Sequence, residues 1–364
     1  MIWQTPITAA AASADDLYRE QVEALGAEEL FETLPAETRE LLRSLGITDL
    51  ELQRYTALQP NAVMQTLLAL FSKQVGGVGA LCGVLLGVIV MAAFAETVRQ
   101  TATSGTMGET VSRICAVAVC ASVLVPVGVC LEKVGEAVES VRVLMLSFVP
   151  TYAAVILAGG HATLAASYST VLLAAAECVT ALVGGVALPL LTVSLGLGTA
   201  GALSHRNRLS GISGGLAKGS MWLLGTVTAL FVGILSMQSF VATAADSLGQ
   251  RAAKMTVSSF VPIVGGALSE AFSTLTGCIS VLRSTLGMFG VLASAALVLP
   301  PFFYCFSWSL AIGLCRTAAE MLGVPSVGGV LGTVQTVVKV LMGMLGVCAL
   351  LLIVTTTLVT VAGR

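Results

Sequence analysis

Residues 74–95 read QVGGVGALCGVLLGVIVMAAFA, twenty-two consecutive positions without Asp, Glu, Lys or Arg. About 20 apolar residues in a helix cross the hydrocarbon core of a bilayer, so this run by itself predicts a membrane-spanning helix. The rest of the chain repeats the message. Of its 364 residues 56% are hydrophobic and 10% charged, with a mean hydropathy of +0.94. A soluble domain carries about 25% charged residues, which excludes an ordinary water-soluble enzyme. The net charge of −2, with no basic stripe interleaved with aromatics, gives no footprint for nucleic acid.

Working outward from 74–95, the same test finds charge-free runs at 114–131, 143–176, 178–205, 219–245, 284–315 and 340–363. The 34 residues of 143–176 are too many for one span and are interrupted by Gly159, Gly160 and His161, so a helical hairpin broken there is expected. Pro300 and Pro301 can split 284–315 into two half-spans or kink one long helix. The fold class is therefore all-α, a polytopic α-helical membrane protein of seven or eight spans. From Asp246 to Arg283 apolar residues mix with charge, and Pro262 and Gly265–Gly266 break the run. An interfacial amphipathic helix or a re-entrant segment is expected there, and 321–338 reads similarly.

Charge is uneven along the chain. Residues 15–54 hold fifteen of the thirty-eight charged side chains. Leu17, Val22, Leu25, Leu30 and Phe31, then Leu41, Leu42 and Leu45, recur at helical spacing, with Pro35 and Gly46 as punctuation. Residues 15–73 are thus expected to form a short amphipathic helical head, and 74–364 the membrane domain. Residues 1–14 end in TAAAASA, either the cleavage end of a signal peptide or a flexible Ala-rich start. Arg206, Arg208 and Lys218 form the strongest positive-inside cluster. Counting back from it places the Glu132–Arg142 loop outside, the Glu96–Arg113 loop inside and the head outside the cytoplasm.

Several motifs point to chemistry that their surroundings do not support. Gly196-Leu197-Gly198-Thr199-Ala200-Gly201 has the letters of a dinucleotide fingerprint, but no strand precedes it and no acid follows at the required distance. Gly211-Ile212-Ser213-Gly214-Gly215 fits a nucleophile elbow, and its first four residues resemble the rhomboid protease motif. Both need a histidine after the serine, whereas His161 and His205 precede it, so 211–215 reads as a flexible Gly/Ser loop. Nine cysteines lie scattered in apolar runs without a Cys-x-x-Cys pair and read as buried packing residues. No spacing suits a metal or cofactor, and no enzymatic activity is expected. Gly79, Gly83 and Gly87 form a small-residue stripe that lets a second helix approach closely, within the subunit or between subunits of a homo-oligomer. Glu177 is the single acid between two apolar runs. It is either a coupling residue of a secondary transporter or permease subunit, or a residue at a helix end near the interface.

In the C-terminal half, Trp222-Leu223-Leu224-Gly225, Phe231-Val232-Gly233 and above all ADSLGQRAAKMTVSSFVPIVGGALSEAFSTLTGCISVLRSTLGMFG over 245–290 resemble the stage III sporulation protein AE family of endospore-forming bacteria. The resemblance rests on Asp246, Lys254, Phe260, Pro262, Val264, Gly265, Gly266, Leu282, Gly287 and Gly290, and covers about 219–364. In the first half only the order of features agrees. The sequence departs from the family pattern in its incomplete signal peptide and in Arg283, where a lysine is expected.

That resemblance implies a multi-pass protein of the mother-cell membrane around the forespore. It implies partners among the other proteins of the same operon and a forespore protein, together forming a secretion-like channel complex needed for late forespore development. The charged stretch fits this frame: Lys254 and Arg283 are placed to pair with Asp246 and Glu270 or to meet lipid headgroups, while Pro262 and Gly265–Gly266 supply a bend.

Overall fold

The computed structural model describes residues 29–47, 60–101, 106–203, 207–260 and 265–362. Two short helices, α1 (Glu29–Glu32) and α2 (Ala36–Ser44), precede six long helical rods. These are α3 (Pro60–Thr101), α4 (Thr106–Ala158), α5 (Ala162–Leu182), which continues through a π-helical turn (Val183–Ala187) into α6 (Leu188–Leu203), then α7 (Asn207–Phe260), α8 (Gly265–Met321) and α9 (Pro325–Ala362). No strand occurs among the described residues. Each rod contains a segment long and apolar enough to cross a membrane. The chain is an all-α, multi-pass membrane protein.

The rods are fewer and longer than the charge-free runs predict. The expected Glu132–Arg142 loop is the middle of α4, which runs unbroken for 53 residues, about 80 Å at helical rise. A charged patch ends a span only where the backbone can turn. Here Glu132, Glu136 and Glu139 fall on one exposed face while Val134, Ala137 and Val138 are buried, so the helix continues as an amphipathic one. The runs 162–176 and 178–203 likewise join into one rod, and Pro300 and Pro301 lie inside α8 without dividing it. The Gly/Ser stretch 211–215 is helical within α7, and 321–338 is a tight turn followed by the start of α9.

Where the chain does turn, glycine is the reason. Gly46, Gly160 and Gly323 have φ of +82°, +82° and +70°, the left-handed conformation that side chains resist. Each closes a Schellman motif. Gly46 N–H donates to Arg43 O and Ile47 N–H to Leu42 O; Gly160 N–H donates to Leu157 O and His161 N–H to Ile156 O; Gly323 N–H donates to Glu320 O and Val324 N–H to Ala319 O. The hydrophobic contact that seals such motifs is present in the first, where Leu42 and Ile47 are both fully buried. The expected break at Gly159–Gly160–His161 thus lies where the sequence reading placed it.

Two apolar cores stack along the rods. The first gathers α3, the front half of α4, the π-helical turn and α6, the beginning of α7, the back half of α8 and most of α9. The second gathers α1, α2, the back half of α4, α5, Leu235 and Ala242 of α7, and the front half of α8. In the second, Phe31 lies 6.4 Å from Phe289 between ring centroids, and Leu30, Leu34 and Leu42 are buried against the bundle, while Glu32, Glu37, Glu40 and Arg43 stay exposed. The short helices therefore dock one apolar face on α4 and α8. Residues 1–28, with the signal-like start and the first part of the polar head, lie outside the described residues.

Glycines let the rods cross closely. A Cβ at Gly198 of α6 would collide with Thr333 of α9 and Ser213 of α7, and one at Gly290 of α8 would lie 2.7 Å from Phe148 and 2.8 Å from Thr356. The second glycine of the fingerprint-like motif is thus a three-helix contact point. Ser213 is buried beside it: Ser194 Oγ donates to Ser213 O at 2.8 Å and lies 3.2 Å from Ser213 Oγ.

Candidate functional site

At the α4–α5 turn the second core encloses a polar cluster. Helix α5 begins after His161, whose side chain makes no capping bond, so its first N–H groups need an acceptor from elsewhere. Asp246 supplies it from α7. The Thr163 and Leu164 N–H groups donate to Asp246 Oδ1 and Oδ2 at 3.1 and 3.0 Å. These are the second and third residues of the helix, the positions that a local N-cap side chain would serve, and the carboxylate faces the positive end of the helix dipole. Asp246 is 8% exposed, so the bonds are made with little competition from water.

Arg283 of α8 closes the cluster from the other side. Tyr152 Oη of α4 donates to the Arg283 carbonyl at 3.4 Å, and Arg283 is as buried as Asp246. Beneath them an aromatic ladder joins α4 to α5: Phe148 stacks on Tyr152 at 5.3 Å, and Tyr152 tilts against Tyr168 at 5.6 Å. Such pairs add about 0.5–1.5 kcal/mol each beyond their burial. His161 Nδ1 stands 3.8 Å from Asp246 Oδ2. Burial and the nearby Arg283 charge hold its pKa below the ordinary value, against the opposing pull of Asp246. Four rods meet here, and the cluster works as a latch that fixes the α4–α5 hairpin to α7 and α8.

The structure thus brings together Asp246 and Arg283, which the sequence marked, with His161, which it marked only as a break. Tyr152 and Tyr168 carried no sequence signal, since each is one aromatic in a long apolar run. Asp246 accepts from backbone N–H groups, and its expected pairing with Lys254 falls on a side chain outside the described residues. Pro262 lies outside the described residues, as do the side chains of Lys254 and Glu270; Gly265 and Gly266 open α8.

The other marked positions lie apart. Glu177 sits within the α5–α6 rod, exposed, where Arg142 Nη1 donates to it at 3.1 Å. Arg142 also grips Glu139 through Nε and Nη2, the shortest contact being 2.6 Å. Gly79, Gly83 and Gly87 are exposed on α3, with open space where a Cβ would stand, so among the described residues that stripe makes no close helix contact. Among the described residues no three His, Cys, Asp or Glu side chains group as metal ligands.

Comparison with known proteins extends the likeness well beyond the C-terminal half. A family model described as stage III sporulation protein AE matches residues 48–363. The stage III sporulation protein AE of Bacillus subtilis (strain 168) is 22% identical over 287 residues, covering 78% of this chain and 72% of that protein. No solved structure matches. With the matched region running from before α3 to the end of α9 and including every residue of the latch, the chain belongs to the stage III sporulation protein AE family.

Proposed function

We propose that this chain is an integral-membrane component of a secretion-like channel complex that links mother cell and forespore and is needed for late forespore development. The observation that carries this reading is the family match across 48–363, on a chain whose six rods each hold a membrane-length apolar segment. The role is structural, not enzymatic. Partners are membrane lipid, the other channel proteins of the same operon and a forespore protein. A second copy would find the open Gly79, Gly83 and Gly87 stripe available for close helix contact.

The mother-cell membrane around the forespore is the expected location, with the polar head outside the cytoplasm. Three rods, α3, α4 and α5–α6, separate the head from the basic cluster at Arg206 and Arg208. An odd number of crossings puts the head opposite the basic loop, which the positive-inside rule assigns to the cytoplasm. The five spans counted from the sequence give the same side, because five and three share parity.

Deleting the gene in its host tests the reading. Arrest after engulfment with vegetative growth intact, restored by the wild-type gene, is the expected result, and normal spores from the deletion strain would overturn it.

A further inference from the structure

Four cysteines meet in pairs along α8. Cys82 of α3 faces Cys315 with 3.6 Å between sulfurs, and Cys130 of α4 lies near Cys305. All four are free thiols. The pairs differ in access. Cys130, Cys305 and Cys315 are fully buried, whereas Cys82 is half-buried and gives its pair one accessible thiol. It also sits beside Gly79 and Gly83, whose missing side chains leave open space on that face of α3.

We propose that Cys82 and Cys315 form an oxidisable dithiol whose disulfide ties α3 covalently to α8, with a lipid-soluble quinone as the oxidant. Two S–H bonds break and one S–S bond forms. The two electrons and two protons reduce the quinone to a quinol. A disulfide needs about 2.05 Å between sulfurs, so forming it closes the 3.6 Å separation between two helices already packed together. The oxidant class follows from position. Both thiols lie inside candidate membrane spans, Gly77–Thr97 and Ile279–Met321, where a lipid-soluble two-electron acceptor meets the half-buried Cys82 and a charged, water-soluble disulfide does not. Helix α3 packs against α4 and α8, so the bond would fasten one of its two supports.

The test incubates the full chain in lipid vesicles with duroquinone, whose fully substituted ring disfavours thiol addition. Denaturation and alkylation follow. The expected result is loss of two of the nine thiols, one quinol per chain, and a non-reduced peptide joining the Cys82 and Cys315 segments. That peptide should vanish in Cys82→Ser and in Cys315→Ser and persist in Cys130→Ser. Nine alkylated thiols after treatment, or a linked peptide joining Cys130 to Cys305 instead, would overturn the proposal. The wild-type peptide decides the matter even where a variant fails to fold.

Discussion

Two of the ionic clusters that tie helices together among the described residues are built from the same chemistry in opposite surroundings. Arg142, Glu139 and Glu177 join α4 to α5 on the outside of the bundle, with side chains 29%, 51% and 56% exposed. Asp246, His161 and Arg283 join four rods inside the second core, where the Asp246 side chain is 6% exposed. The outer cluster has the better ion-pair geometry, yet water and salt screen it and both long side chains must be ordered to form it. The inner cluster is organised by its carboxylate, which accepts from the two backbone donors at the start of α5. Burial, more than pair distance, decides which cluster matters.

The largest effect should come from removing the inner carboxylate. Asp246→Ala leaves the Thr163 and Leu164 N–H groups without their acceptor and is expected to destabilise the purified protein by about 3 kcal/mol. Asp246→Asn keeps a neutral acceptor and should cost about 1 kcal/mol. Thermal unfolding in detergent measures both. Equal midpoints for wild type and Asp246→Ala would remove the latch from the account.

A smaller effect is tied to pH. The folded-state pKa of His161 is depressed, so below the ordinary value of about 6.5 the unfolded chain takes up a proton that the folded chain refuses. Stability should then be retained above about 6.5 and fall as pH drops from there towards the folded-state value. In His161→Gln that slope should flatten. A slope steeper than wild type would show that Asp246 attraction outweighs burial and the Arg283 charge.

The smallest effect belongs to the outer cluster. Glu177→Gln removes one arm of an exposed network while Arg142 keeps Glu139, so the unfolding midpoint should not move at any salt concentration. A clear loss that high salt abolishes would make the two clusters comparable after all.

Much of this architecture is legible from composition and local chemistry. The lack of charge in 74–95 and 340–363 fixes them as helices for lipid, because an unsatisfied backbone has no other stable form there. Gly160 and Gly46 mark turns because their left-handed φ suits glycine, and the signature over 245–290 carries the family resemblance. The failures share one cause. Glu132 to Arg142 and Arg208 to Lys218 read as loops when charge is taken to end a span, yet both are helical. Glu, Lys and Arg are good helix formers, and they end a span without ending a helix.

The sequence by itself therefore determined the class of protein, its helical content, its tight turns and its family, since each depends on residue type or on neighbours a few positions away. Only the tertiary structure decided that two predicted spans are one rod, that Asp246 caps a helix 83 residues earlier, that the glycines at 79, 83 and 87 face outward, and that Cys82 lies against Cys315. Those facts depend on which faces of distant helices meet. Packing of apolar stripes sets that, and no local pattern encodes it.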